Sequence, residues 1–237
     1  MKKSNCSGKF IVFEGIDGSG KSTQMKLLVK RLKKEGYDVV AIDFPQYGQK
    51  SAGPTEEYLN GRYGSSLDVG PYRASALFAV DHYDGSFKIK DWLKKRKIIV
   101  SDRYFQSNIG HQGGKIKDKK ERNKFLKWLY RLELGIFGIP NPDITLILKV
   151  PPRVSQVMVG NINDEKKKAR KKLYFGNKKR DLHEKDINHL IDAERSYLEA
   201  AKEFPKDFTL IDCMEKEELL SPQIIHQKVW KIVNKIL

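Results

Sequence analysis

Residues Gly15 to Thr23 read Gly-Ile-Asp-Gly-Ser-Gly-Lys-Ser-Thr and follow directly on the apolar run Phe10-Ile11-Val12-Phe13. A buried strand that passes through a glycine-rich turn into a helix restricts the fold more than any other feature of the chain. Gly15, Gly20, Lys21 and Ser22 have the spacing of a P-loop. The helix that the pattern requires is written in Met25, Leu28, Val29 and Leu32, which recur every three or four residues until Gly36 closes the run.

Each residue type in this turn has a separate chemical use. Gly18 and Gly20 let the backbone bend closely around a polyphosphate and aim N–H groups at its oxygens, while the following helix adds the positive end of its dipole. Lys21 reaches the outer phosphates as a point charge, and Ser22 offers a hydroxyl to Mg²⁺, a hard cation that favours oxygen ligands. The cradle so read comprises Gly15, Asp17, Gly18, Ser19, Gly20, Lys21, Ser22 and Thr23. The alternative is a glycine-rich helix start with no ligand.

Further along, apolar strand-like runs alternate with helical patterns, the signature of a parallel sheet wrapped by helices. The expected strands are Lys9 to Glu14, Asp38 to Asp43, Lys97 to Asp102, Ile144 to Val150 and Phe208 to Asp212. Between them fall the P-loop helix and helices from about Pro71 to Lys95, Lys120 to Phe137 and Glu184 to Phe204. Ser221-Pro222, a cap followed by proline at the first helical position, opens a last helix with Ile225, Val229, Ile232, Val233 and Ile236 on its inner stripe. The fold class is α/β, a three-layer P-loop NTPase fold with a five-stranded parallel sheet. No repeat or linker divides the 237 residues, so one domain is expected.

In such sheets ligands bind beyond the carboxyl ends of the strands. Here Glu14, Asp43 and Asp102 each end an apolar strand, and Arg103 and Tyr104 follow Asp102 at once. Asp102 suits a second Mg²⁺-orienting group opposite Ser22, and Arg103 suits a bidentate grip on a second phosphate. A helix cap with a surface ion pair is the alternative for this dipeptide.

Composition narrows the setting. Cys6 and Cys213 are the only cysteines, without metal or disulfide spacing, which suits a reducing cytoplasm; no stretch is apolar and long enough for a secretory signal or membrane span. The net charge of +16 admits nucleic acid, an anionic membrane surface or small anionic substrates as partners. It is concentrated in Lys166, Lys167, Lys168, Arg170, Lys171, Lys172, Lys178, Lys179 and Arg180, either a solvated face or a lid over phosphates.

Phe13-Glu14-Gly15-Ile16-Asp17-Gly18-Ser19-Gly20-Lys21-Ser22-Thr23, then Phe44-Pro45, Leu77-Phe78-Ala79, Asp102-Arg103-Tyr104 with Ser107-Asn108, and the basic segment together resemble thymidylate kinases. The resemblance runs from about Lys9 to Phe204. It implies transfer of the γ-phosphoryl of ATP to dTMP, giving dTDP and ADP, with Mg²⁺, in a cytoplasmic enzyme that is commonly a homodimer. By this similarity Lys21 and the loop amides hold ATP phosphates, Ser22 and Asp102 serve Mg²⁺, and Arg103 grips the acceptor phosphate. Asp17 contacts the acceptor's sugar hydroxyl, Phe78 stacks on the base and Asn108 bonds its edge, with Phe44 beside them. Core packing is the alternative for Phe78, and a local cap for Asn108.

The family supplies its transition-state arginine either from the P-loop or from the lid. Position 18 is glycine here, so the resemblance is to the second kind and assigns the charge to Arg170 or Arg180, in a lid of about residues 160 to 182. Asp43 stands where relatives carry an arginine that grips the monophosphate, His82 replaces an arginine that reaches the base, and His111 replaces a tyrosine under the sugar. Leu182 interrupts the lid pattern. Lys50 and Arg73 are candidate replacements for the missing positive charge, and His82 as a neutral imidazole can donate one hydrogen bond to a base carbonyl. These departures leave room for another nucleoside monophosphate or deoxynucleoside kinase. A nucleic-acid-binding P-loop protein ranks last, because no binding module or stacking platform accompanies the basic segment.

Overall fold

The computed structural model describes residues 8–160 and 187–237. Strands β1 (Lys9–Glu14), β2 (Val39–Asp43), β3 (Ile98–Asp102), β4 (Ile144–Lys149) and β5 (Phe208–Asp212) form one parallel sheet in the order β2-β3-β1-β4-β5. All five lie where the apolar runs place them, to within a residue or so. β1 is central, paired with β3 and β4, so its carboxyl end opens at the middle of the sheet edge.

Alternation along β1 sorts the core into two layers. Phe10 and Val12 face a cluster with Tyr104, Phe105, Phe125 and Tyr197. Ile11 and Phe13 face the opposite cluster, with Leu28 and Leu32 of α1 (Lys21–Lys34). Its other wall is Ile225, Val229 and Val233 of the C-terminal helix (Pro222–Val233). Each of these side chains, withdrawn from water, contributes about 1.5–3 kcal/mol. Helices therefore cover both faces, as the three-layer expectation requires.

The helices depart from expectation in instructive ways. Short helices α2 (Gly53–Leu59), α4 (Ser107–His111) and α6 (Pro152–Gly160) have no counterpart in the sequence reading. α3 (Ser66–Lys94) begins before Pro71, because Ser65 and Asp68 form a reciprocal capping box. Gly70, at φ 71 and ψ 167, then breaks the helix ahead of Pro71, and only a residue without Cβ takes that conformation without strain. α5 (Lys119–Tyr130) continues as a π-helical stretch over Arg131–Ile136. The wider turn rotates the face by a residue and carries Glu133 into the core at 0% exposure.

α7 (Ile187–Glu203) and α8 (Pro222–Val233) complete the set among the described residues, and α8 ends at Val233, short of Ile236. α7 lies tightly on α4. A Cβ added to Gly110 would fall 2.1 Å from the Tyr197 ring, and Ser196 Oγ donates to the Ile109 carbonyl at 2.6 Å. That close approach sets two α7 side chains beside the sheet edge, with consequences for the site.

Candidate active site

The turn after β1 is built as a phosphate cradle. Gly20 caps α1 in the left-handed region at φ 90 with no side-chain cap, so the first helical N–H groups have no capping oxygen of their own. Gly15, at φ 134, lies so close to β4 that a Cβ would stand 2.8 Å from the Leu148 carbonyl oxygen. Lys21 is almost wholly buried, and its Nζ donates to the carbonyls of Gly15 at 3.0 Å and Ile16 at 2.8 Å. Ser19 Oγ is buried with no hydrogen-bond partner, a polar atom that points to a ligand in the loop.

Asp102 ends β3 in register with Phe13 of β1, and Phe13 belongs to the layer packed by α1. In-register residues of adjacent strands share a sheet face, so the Asp102 carboxylate lies on the same side as Ser22 in the first turn of α1. Asp43 is paired with Asp102 on that face as well. Among the described residues no group of three or more His, Cys, Asp or Glu side chains forms a metal cage. A hydroxyl and one or two carboxylates fit an ion such as Mg²⁺, which takes its remaining ligands from phosphate and water.

Arg103 is the hub of the second half of the site. It sits at φ 70, a left-handed conformation costly for a side-chain-bearing residue, and is held there by contacts on several sides. Its N–H donates to the Phe13 carbonyl at 3.0 Å. Nη2 donates to Asp17 Oδ1 at 2.5 Å, while Nη1 donates to Ser107 Oγ at 3.2 Å and to His111 Nε2 at 3.1 Å. Nη1 also points at the Gly15 carbonyl at 3.4 Å, the same oxygen that Lys21 engages. Two cations thus converge on one carbonyl. Burial works against the Arg103 charge, but Asp17, Glu14 and Asp102 more than offset it, and the guanidinium is held charged.

Glu14, completely buried, organises the turn that presents Arg103. It accepts from the Tyr104 N–H at 2.9 Å, Ser107 Oγ at 2.8 Å and Tyr197 Oη at 2.8 Å. Burial raises its pKa, against the opposing pull of Arg103 and these donors.

The other expected acceptor residues are distributed unevenly. Asn108 is 2% exposed, and its Nδ2 is buried without a partner, as a donor awaiting a ligand would be. Phe78 is half-buried on α3 and meets the Tyr58 ring edge-on at 6.1 Å, so one side packs against the small cluster beneath it. Tyr58 is in turn held by Lys115, which donates to its hydroxyl at 2.8 Å and whose pKa burial lowers to about 7. Phe44 lies in the core instead of lining a pocket, on the bare backbone at Gly85 and against the His82 and Tyr104 rings.

His82 departs furthest from expectation. It is buried, and its Nδ1 lies 2.8 Å from Glu133 Oε1, in the core position that the π-helical turn creates. Burial disfavours its charge, yet Glu133 outweighs that and raises the pKa, and the Nδ1 expected to be available to a base carbonyl is engaged with Glu133. Arg73 is committed to its own helix, donating to the carbonyls of Val69 and Asp68 at 2.7 Å each, and Lys50 is exposed in the turn Lys50–Ala52. Arg170 and Arg180, with the rest of the basic segment from Lys166 and Leu182, lie outside the described residues.

Tyr197 and His189, both on α7, were missed. His189, not among the expected site residues, is half-buried and lies edge to edge with His111, their ring centres 5.4 Å apart. For Tyr197 the signal was its place in the stripe Leu190, Ala193, Tyr197 and Ala200, since a buried tyrosine needs a partner for its hydroxyl.

Comparison with known proteins agrees with this geometry. The family model described as thymidylate kinase matches residues 13–224. The thymidylate kinase of Caldanaerobacter subterraneus subsp. tengcongensis is 32% identical over 233 residues, covering 97% of each chain. That of Plasmodium falciparum is 32% identical over 213 residues, covering 89% of this chain and 94% of its own. The solved thymidylate kinase structure from Candida albicans superposes with a TM-score of 0.68 over 97% of this chain and 92% of its own. At 24% identity it speaks for the fold alone.

Proposed function

The chain belongs to the thymidylate kinase family, and from that premise we propose how its residues divide the work of one phosphoryl transfer. The chain phosphorylates dTMP to dTDP with ATP as donor. An oxygen of the dTMP phosphate attacks the γ-phosphorus, the bond to the β-phosphate oxygen breaks, and ADP leaves. The attacking oxygen is already anionic, so no general base is required, and positioning and electrostatics supply the catalysis.

In this reading Lys21 and the N–H groups from Gly15 to Thr23 bind the ATP phosphates, and Arg103 binds the phosphate of dTMP. Asp17 steers both Arg103 and the acceptor's sugar, while Asn108 and Phe78 hold the base. Ser22 and Asp102 would hold Mg²⁺, which when bound would supply positive charge to offset that of the phosphates. Arg170 or Arg180 would cover the phosphoryl group from the lid. The observation that carries the reading is the Gly15 carbonyl, on which Lys21 and Arg103 both converge. A coupled assay of the full chain with ATP, Mg²⁺ and dTMP, dUMP, dCMP or dGMP tests it. We expect ADP release to be fastest with dTMP; preference for another acceptor refutes the base assignment.

We further propose a cytoplasmic, single-domain protein that pairs as a homodimer through α3. Tyr72, Ala76, Val80, Tyr83 and Phe87 recur every three or four residues along α3, and all are exposed. Ile136 beside them is 66% exposed. An unbroken apolar stripe of this kind favours a partner surface. Sedimentation equilibrium should give a dimer for the wild type and a monomer for the Val80→Asp, Phe87→Asp double variant; a monomeric wild type removes the proposal. Among the described residues no helix is long and apolar enough to cross a membrane.

A further inference from the structure

His111 Nε2 lies 3.1 Å from Arg103 Nη1, and His111 Nδ1 lies 3.1 Å from His189 Nε2. A guanidinium can only donate, so His111 Nε2 accepts and carries no hydrogen. The ring proton of His111 is therefore on Nδ1, from which it is donated to His189 Nε2. This order leaves His189 with its own proton on Nδ1. The direction of these two bonds follows from the guanidinium, which has no choice.

The arrangement is rigid at both ends. His189 is on α7, which Gly110 and the Ser196 hydroxyl lock against α4, the helix that carries His111. At the other end Arg103 occupies a strained backbone conformation, so its guanidinium keeps its direction only while its neighbours hold it. Asp17 holds the Nη2 edge, and the imidazole chain meets the Nη1 edge.

We propose that His189 is a positioning residue for the acceptor phosphate, acting through the Nδ1–H form of His111 to fix the direction of Arg103. The inference rests on the reading of Arg103 as the cation that binds the dTMP phosphate. The role of His189 requires no contact with substrate. Its part is to accept one hydrogen bond, which keeps the His111 acceptor lone pair turned to Arg103.

Two measurements on the full chain test this. In long-range ¹H–¹⁵N spectra of imidazole-labelled protein at pH 8, His111 should be the Nδ1–H form; an Nε2–H or doubly protonated His111 overturns the relay. In steady-state kinetics, His189→Leu should raise the KM for dTMP about tenfold, as loss of one hydrogen bond predicts, with the KM for ATP unchanged. His189→Gln, whose Oε1 can accept in place of Nε2, should bring the KM for dTMP back to within about twofold of wild type. Equal KM values for the Leu and Gln variants overturn the proposal. The spectrum does not depend on activity, so a failed relay in an active enzyme is distinguishable from an intact relay in a chain that does not phosphorylate dTMP.

Discussion

Lys21→Ala lowers kcat for dTMP phosphorylation by about 10²–10³-fold while dTMP binding stays near wild type. The magnitude is that of removing one preorganised group that stabilises charge developing in the transition state. The separation of effects follows from the geometry. Nζ reaches the loop carbonyls of Gly15 and Ile16 from the α1 side, whereas the contacts expected for the acceptor come from Arg103, Asp17 and Asn108. The substitution leaves those carbonyls without their donor, at a cost of about 1–3 kcal/mol, so thermal melting should accompany the kinetics. An equal loss in Lys21→Arg, which keeps charge and donors, would show that the compact ammonium is required. Full activity in Lys21→Ala would remove the P-loop lysine from the mechanism.

Arg103→Lys should lower kcat/KM for dTMP by about 10²-fold, with most of the loss in KM. A lysine keeps the charge but not the planar fork that reaches Asp17, Ser107 and His111 at once. The lysine variant is more informative than alanine. Glu14 is fully buried 3.9 Å from the guanidinium, and removing the positive partner of a buried pair costs about 3–5 kcal/mol. Arg103→Ala should therefore lose stability along with activity, whereas Arg103→Lys should fold and show the binding defect alone. An unchanged KM for dTMP in the lysine variant would mean that another cation holds the acceptor.

The strands and the P-loop were legible because their signals are local. An apolar run closed by Glu14, Asp43 or Asp102 states both where a strand lies and where its polar end opens. The short helices were harder. Gly53-Pro54 begins α2 with the proline in its first turn, and Ser107–His111 is barely one turn, too short for periodicity to register. Glu133 could not be placed because a π-helical turn changes the residue spacing that a search for 3.6-residue repeats assumes.

Within the site, the residues proposed to contact phosphate stand out in the sequence, and those that orient them do not. Lys21, Ser22, Asp102 and Arg103 are declared by spacing and by position at strand ends. The pairing of His111 with His189 joins residues 78 apart, and that of Glu14 with Tyr197 joins residues 183 apart. Nothing local records either contact. His82 illustrates the converse: the sequence singles it out, but its environment depends on a carboxylate that only the fold supplies.

Central to the account is that donor and acceptor phosphates meet where Lys21 and Arg103 share the Gly15 carbonyl. Calorimetric titration with adenosine and thymidine joined 5′ to 5′ through a pentaphosphate tests this in a single ligand. One equivalent should bind each chain more tightly than ATP or dTMP alone, and Lys21→Ala and Arg103→Lys should each weaken it. Binding no tighter than that of ATP, or indifferent to Arg103, would contradict the account.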